Sequence, residues 1–108
     1  MIYRVEITKP AQTDMIQLYS YIADTMKEPR SARRVYTSIR DEIMSLDEMP
    51  ERYAVIDEPP YNEIGVRRML IENYIVFYVA HREQKLVTVL RVVYNRREWR
   101  NILGLDQN

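Results

Sequence analysis

The chain has 108 residues with no cysteine, two glycines and five prolines, 46% of it apolar and 30% charged. This length predicts one domain over residues 1–108, and the missing thiols exclude a disulfide scaffold, thiol chemistry and a cysteine-based metal site. Sixteen Lys and Arg balance sixteen Asp and Glu, so no whole-molecule attraction to nucleic acid or membrane is implied, and no apolar run nears the roughly 20 residues of a bilayer span.

Residues 2–7 alternate, with Tyr3, Val5 and Ile7 against Ile2, Arg4 and Glu6, which predicts a short half-buried strand. Arg4, Glu6 and Lys9 also break up any apolar leader, so a cytoplasmic protein with no membrane partner is expected. Pro10 suits a first helical turn, where its missing N–H costs nothing. Ala11, Met15, Leu18, Tyr19, Ile22 and Met26 then follow the helical period up to Lys27-Glu28-Pro29. A second helix restarts near Ser31 through Ala32, Val35, Tyr36, Ile39, Ile43 and Leu46. So short a connection makes the pair an antiparallel hairpin. Periodicity is lost from Met49 to Ile64, an irregular connection long enough to be functional. Beyond Gly65 the segments 66–71, 74–80 and 86–94 are rich in Val, Ile, Tyr and Phe. Their short separators, Glu72-Asn73 and residues 81–85, predict an antiparallel meander. Residues 96–103 suit a closing helix that stops at Gly104, with residues 105–108 as a frayed end. The expected fold class is α+β in the order β-α-α-β-β-β(-α), with the helical hairpin packed on one face of a small, mainly antiparallel four-stranded sheet.

Common catalytic sets are missing. His81 is the lone histidine and falls in a predicted turn, so neither a His-rich zinc site nor a Ser-His-Asp triad is available. Two glycines cannot build a phosphate-cradling loop. Asp47-Glu48 and Asp57-Glu58 are adjacent in sequence, so their carboxylates diverge and suit solvated charge. No metal and no cofactor are expected. Charge is uneven, however: residues 1–63 hold eight basic and twelve acidic side chains, residues 64–108 eight basic and four acidic. Arg67 and Arg68 lie on the first meander strand, Arg91 and Tyr94 on the last, and Arg96 and Arg97 just beyond it. With strands about 4.8 Å apart, these groups fit on one sheet surface about 10 Å across. There they suit gripping a phosphate backbone, stacking a base on Tyr94, or neutralising a phosphate in transit. The plainer alternative is local pairing of Arg67 with Glu72 or Glu63 and of Arg97 with Glu98, with Tyr94 filling the core. Trp99 reads as an anchor for the C-terminal turn.

Several strings, in this order and spacing, resemble the RelE/ParE superfamily of bacterial type II toxin–antitoxin toxins. They are Tyr3-Arg4-Val5 with Pro10-Ala11 and Asp14; Ser45-Leu46 with Met49-Pro50-Glu51-Arg52-Tyr53; Gly65-Val66-Arg67-Arg68; Asn73-Tyr74-Ile75-Val76-Phe77-Tyr78; and the run from Val87 to Tyr94 with Arg96-Arg97. The resemblance covers about residues 2–100. It implies a growth-inhibiting toxin held silent by a cognate antitoxin, acting on mRNA at the ribosome or on DNA gyrase. Superfamily members on the RelE side cut ribosome-bound mRNA, the activity expected first here. On that branch, a metal-independent endoribonuclease, Arg68, Arg91 and Arg96 are the expected catalytic cations and Tyr94 or Glu63 the base. Arg67 and Arg97 are the expected nucleic-acid contacts. ParE-like members inhibit DNA gyrase without catalysis, and an inactive antitoxin-binding relative is a further alternative. Ile75 stands where the nucleases carry an arginine, so a transition-state cation would have to come from Arg67 or Arg91. The Tyr-x-Val-Phe-Tyr string itself resembles the ParE side.

Overall fold

Thr8 starts the first helix: its side chain accepts from the Ala11 N–H while Pro10 occupies the opening turn, satisfying one donor that the helix itself cannot. The computed structural model describes residues 2–104, and the predicted frayed end lies outside them. Strand β1 (Arg4–Ile7) leads through Thr8 into helix α1 (Lys9–Ser20), which continues as a π-helical turn over Tyr21–Thr25. Ala11, Asp14, Met15 and Leu18 form its buried stripe. Helix α2 (Pro29–Met44) buries Ala32, Val35, Ile39 and Ile43, and the two helices form the expected hairpin. The connection is less irregular than its lost periodicity predicts. It contains a 3-10 turn at Pro50–Arg52 and a one-turn helix α3 (Tyr61–Ile64), while α2, predicted to run through Leu46, ends at Met44 and closes in a 3-10 turn at Ser45–Asp47.

Strands β2 (Val66–Ile71), β3 (Tyr74–His81) and β4 (Leu86–Tyr94) follow, then helix α4 (Trp99–Leu103). Among the described residues they build one four-stranded sheet in the order β1-β4-β3-β2, with β1 parallel to β4 and the other pairs antiparallel. The α+β class and element order therefore match expectation. His81 closes β3, where its Nε2 lies 3.2 Å from Thr88 Oγ1, and so it is not the turn residue predicted. The last helix begins at Trp99 rather than residue 96, because Arg97 N–H bonds Tyr94 carbonyl in a tight turn first. No helix among the described residues is long and apolar enough to cross a membrane.

Side chains alternate across a strand, so β3 contributes to two cores. Val76 and Tyr78 face the helical hairpin with Met15, Leu18, Val35, Ile39, Met69 and Val89. Ile75 and Phe77 face the other way, with Ile56, Tyr61, Val66, Val93 and Trp99. Trp99 anchors α4 as expected, its ring 5.2 Å from Phe77 and 5.3 Å from Tyr61. The hydroxyl of fully buried Tyr78 donates to the Pro50 carbonyl at 2.6 Å and pins the connection to the sheet. Burial pushes that phenol up to about 12. A pKa raised above its unfolded value of about 10 contributes stability below pH 10 that is lost as pH rises towards 12. Tyr78→Phe should therefore cost about 1 kcal/mol at neutral pH and should flatten the alkaline slope in urea titrations run between pH 9 and 12.

Candidate functional site: a groove at the end of the sheet

Strand β1 is short, and where it stops the outer edge of β4 would be bare. The chain closes that edge with side chains. Thr8 N–H donates to the Val89 carbonyl and Thr8 Oγ1 to that of Leu90. The buried Asp14 carboxylate then accepts the Val92 N–H at 2.9 Å. Its two oxygens also take a fork from Arg91, Nε to Oδ2 at 2.7 Å and Nη2 to Oδ1 at 2.8 Å. The third guanidinium nitrogen, Nη1, donates to the Ile102 carbonyl at 3.1 Å. A register shift between Phe77 and Tyr78 leaves Leu90 as an extra residue in β4, and such a bulge re-aims the side chain beside it. Arg91 thereby reaches α1 in front of the sheet and α4 behind it. The carboxylate favours the charged guanidinium and raises its pKa further.

Beside this pair, the end of α1, its π-helical turn and the start of α2 stand off from the ends of β3 and β4. The groove between them has a volume of about 900 Å³ and is lined by Asp14, Tyr21, Tyr74, Arg91, Tyr94 and Arg97, among others. Tyr74 and Tyr94 meet edge to face at 5.5 Å, while Tyr21 and Tyr94 are 56% and 40% exposed. Burial, with Tyr94 and Tyr21 close by, pushes the Tyr74 phenol up. Glu72 closes one rim. It holds a left-handed backbone, φ +56°, in the β2–β3 turn, a conformation that usually selects glycine. Arg34 of α2 grips its carboxylate at 2.7 Å, tying the turn to the helical hairpin.

The expected single solvent-facing arginine surface does not form. Arg68, Phe77 and Arg91 share one register row, which sets the two arginine backbones about 10 Å apart as anticipated. The Phe77 between them is buried under Trp99, however, and Arg91 is committed to Asp14. Arg68 is exposed on the α4 side and adds to the field that lowers the Glu58 pKa, an effect led by the Arg100 hydrogen bond. Arg67 points to the hairpin side and donates to the carbonyls of Glu51 and Tyr53, neither of the partners expected of it. Tyr94 and Arg97 reach the groove. Arg96 is exposed beyond β4 and does not line it. Glu58 is not freely solvated but forks with Arg100 at 2.7 and 2.9 Å. Among the described residues no three His, Asp or Glu side chains gather as a metal site. Sequence reasoning missed Asp14, Tyr21, Arg34 and Glu72. Asp14 alone carried a signal: a carboxylate inside the apolar stripe of Ala11, Met15 and Leu18 needs a buried partner.

Comparison with known proteins assigns the architecture and then the family. A chain from the chromosomal ParDE toxin–antitoxin system of P. aeruginosa superposes with a TM-score of 0.70 at 18% identity, over 86% of this chain and 96% of that one. The toxin–antitoxin complex RelBE2 of Mycobacterium tuberculosis gives 0.62 at 21% identity, over 87% and 99%. A mutant of the E. coli toxin RelE in the free state gives 0.63 at 16% identity, over 97% and 94%. These likenesses show a shared fold. No curated protein matches the chain. Residues 5–99 match the family described as ParE toxin of type II toxin–antitoxin system, parDE, and the chain belongs to that family of toxins.

Asp14→Ala should lower the unfolding free energy by about 3 kcal/mol, because it strands a partly buried guanidinium and the Val92 N–H together. Adding Arg91→Met should recover part of that loss in urea denaturation, since no unpaired charge is then left.

Proposed function

We propose that this toxin arrests growth by binding its target rather than by cutting it, that the groove is the binding surface, and that the target is DNA gyrase. The observation that carries this reading is the commitment of Arg91. Metal-free RNA cleavage needs a base, an acid and cations for the phosphorane at one point. Arg91 is held by Asp14 and Ile102, Glu72 is held by Arg34, and Arg68 lies on the other side of the sheet. Exposed tyrosines remain with Arg97, which has no ion pair among the described residues, a composition suited to a protein interface. Ile75 and the ParE-like family assignment favour the same branch.

A cognate antitoxin is the natural silencing partner of such a toxin. The outer edge of β2 offers it a place: Val55 bridges only to Arg67, and Leu70 beyond is 64% exposed. An added antitoxin strand would cover that edge.

The purified toxin should inhibit supercoiling of relaxed plasmid by gyrase. Tyr94→Ala combined with Arg97→Ala should weaken inhibition at least tenfold, whereas Arg68→Ala should leave it unchanged. Unimpaired supercoiling, together with new codon-associated ends in primer extension of a translated message, would instead support the mRNA-cleaving alternative.

A further inference from the structure

Helix α2 turns a basic face to solvent. Its buried stripe runs through Ala32, Val35, Ile39 and Ile43, which leaves Arg30, Arg33, Arg34, Thr37 and Arg40 exposed on the opposite side. Successive turns of this ridge repeat about every 5.4 Å along the helix, so its donors form a row rather than a cluster. Arg34 is shared with Glu72, and Arg40 meets only its neighbour Asp41 at 3.5 Å. Arg30 and Arg33 have no ion pair or side-chain hydrogen bond among the described residues.

This arrangement works against the helix. Arg30 faces Arg33 and Arg34 at the spacings where like charges repel. All three lie towards the positive end of the helix dipole, where acidic side chains stabilise and basic ones do not. No acidic residue occupies the first turn, and the flanking Glu28 is engaged by Ser31 Oγ. A bound polyanion would turn each of these costs into a favourable contact.

We propose that the exposed arginine ridge of α2 docks the phosphodiester backbone of a nucleic acid, without reading its sequence. A row of guanidinium and hydroxyl donors along a straight helix matches a continuous line of phosphates. The ridge meets the groove at Arg34, so a docked strand would run beside the site proposed above. The inference stands independently of which target that groove takes.

The test is fluorescence anisotropy of the full-length toxin with a labelled 20-base-pair DNA duplex and, separately, a labelled 20-nucleotide single-stranded RNA, each over a salt series. Arg30→Gln with Arg33→Gln should weaken binding about tenfold at low salt. It should also reduce the slope of log affinity against log salt by about 0.9 per lost contact on duplex, or about 0.7 on single strand. The arm showing this loss identifies the source of the phosphates. The same variant should melt no lower than the parent, since it removes only repulsion. Thr37→Glu keeps every arginine, and should weaken binding while holding or raising the melting temperature. Unchanged affinity and slope on both probes would overturn the proposal. So would arginine-dependent binding of polyglutamate with no binding of either nucleic acid, which would assign the ridge to an acidic protein segment.

Discussion

The buried Asp14 carboxylate is the joint on which the fold and the groove both depend. Strand β1 covers only the first part of β4, and an uncovered edge leaves N–H and C=O groups without partners. Asp14 supplies what a longer β1 would have supplied, an acceptor for Val92 N–H. Burying a carboxylate is costly, and that cost is offset only when its lone pairs meet several well-placed donors. The fork from Arg91 provides them, and the same guanidinium fastens α4 through Ile102. One ion pair therefore fixes three layers and sets the floor of the groove.

Behind the sheet a second constraint keeps the remaining arginines apart. Phe77, Tyr61 and Trp99 pack into an aromatic wedge, and Arg100 lies 4.4 Å over the Trp99 ring while forking Glu58. Such a layer dries the centre of that face. Arg68 is left at its margin, on the far side of the wedge from Tyr94. The sheet thus presents two chemically distinct ends instead of one basic plane.

The strands were legible almost to the residue, because β-branched and aromatic runs between polar turns have few other solutions. The helical hairpin was equally plain from its stripes. The parallel pairing of β1 with β4 was not, since alternation says which face is buried and nothing about which strand lies alongside. The bulge at Leu90 is invisible for a related reason: an extra residue in one strand is defined only by its partner's register. That single residue separates the expected arginine surface from the observed one. Tyr94 and Arg97 did reach a shared groove, but its far wall comes from Tyr21 and Arg34, brought there by tertiary packing. Counting charge by halves of the chain also concealed four arginines on α2, because the acidic connection after it outweighed them.

The sheet order carries a consequence for synthesis. Among the described strands β4 is made after the other three, yet it lies second in the sheet, between β1 and β3. A nascent chain that has emerged only as far as β3 has its helical hairpin and a two-stranded ribbon, but nothing to join β1 to the rest. Two-stranded ribbons are marginal on their own, so consolidation waits until β4 has been made. Until then the apolar faces of the growing chain stand open to whatever folding helper, or freshly made partner, is nearest the exit tunnel.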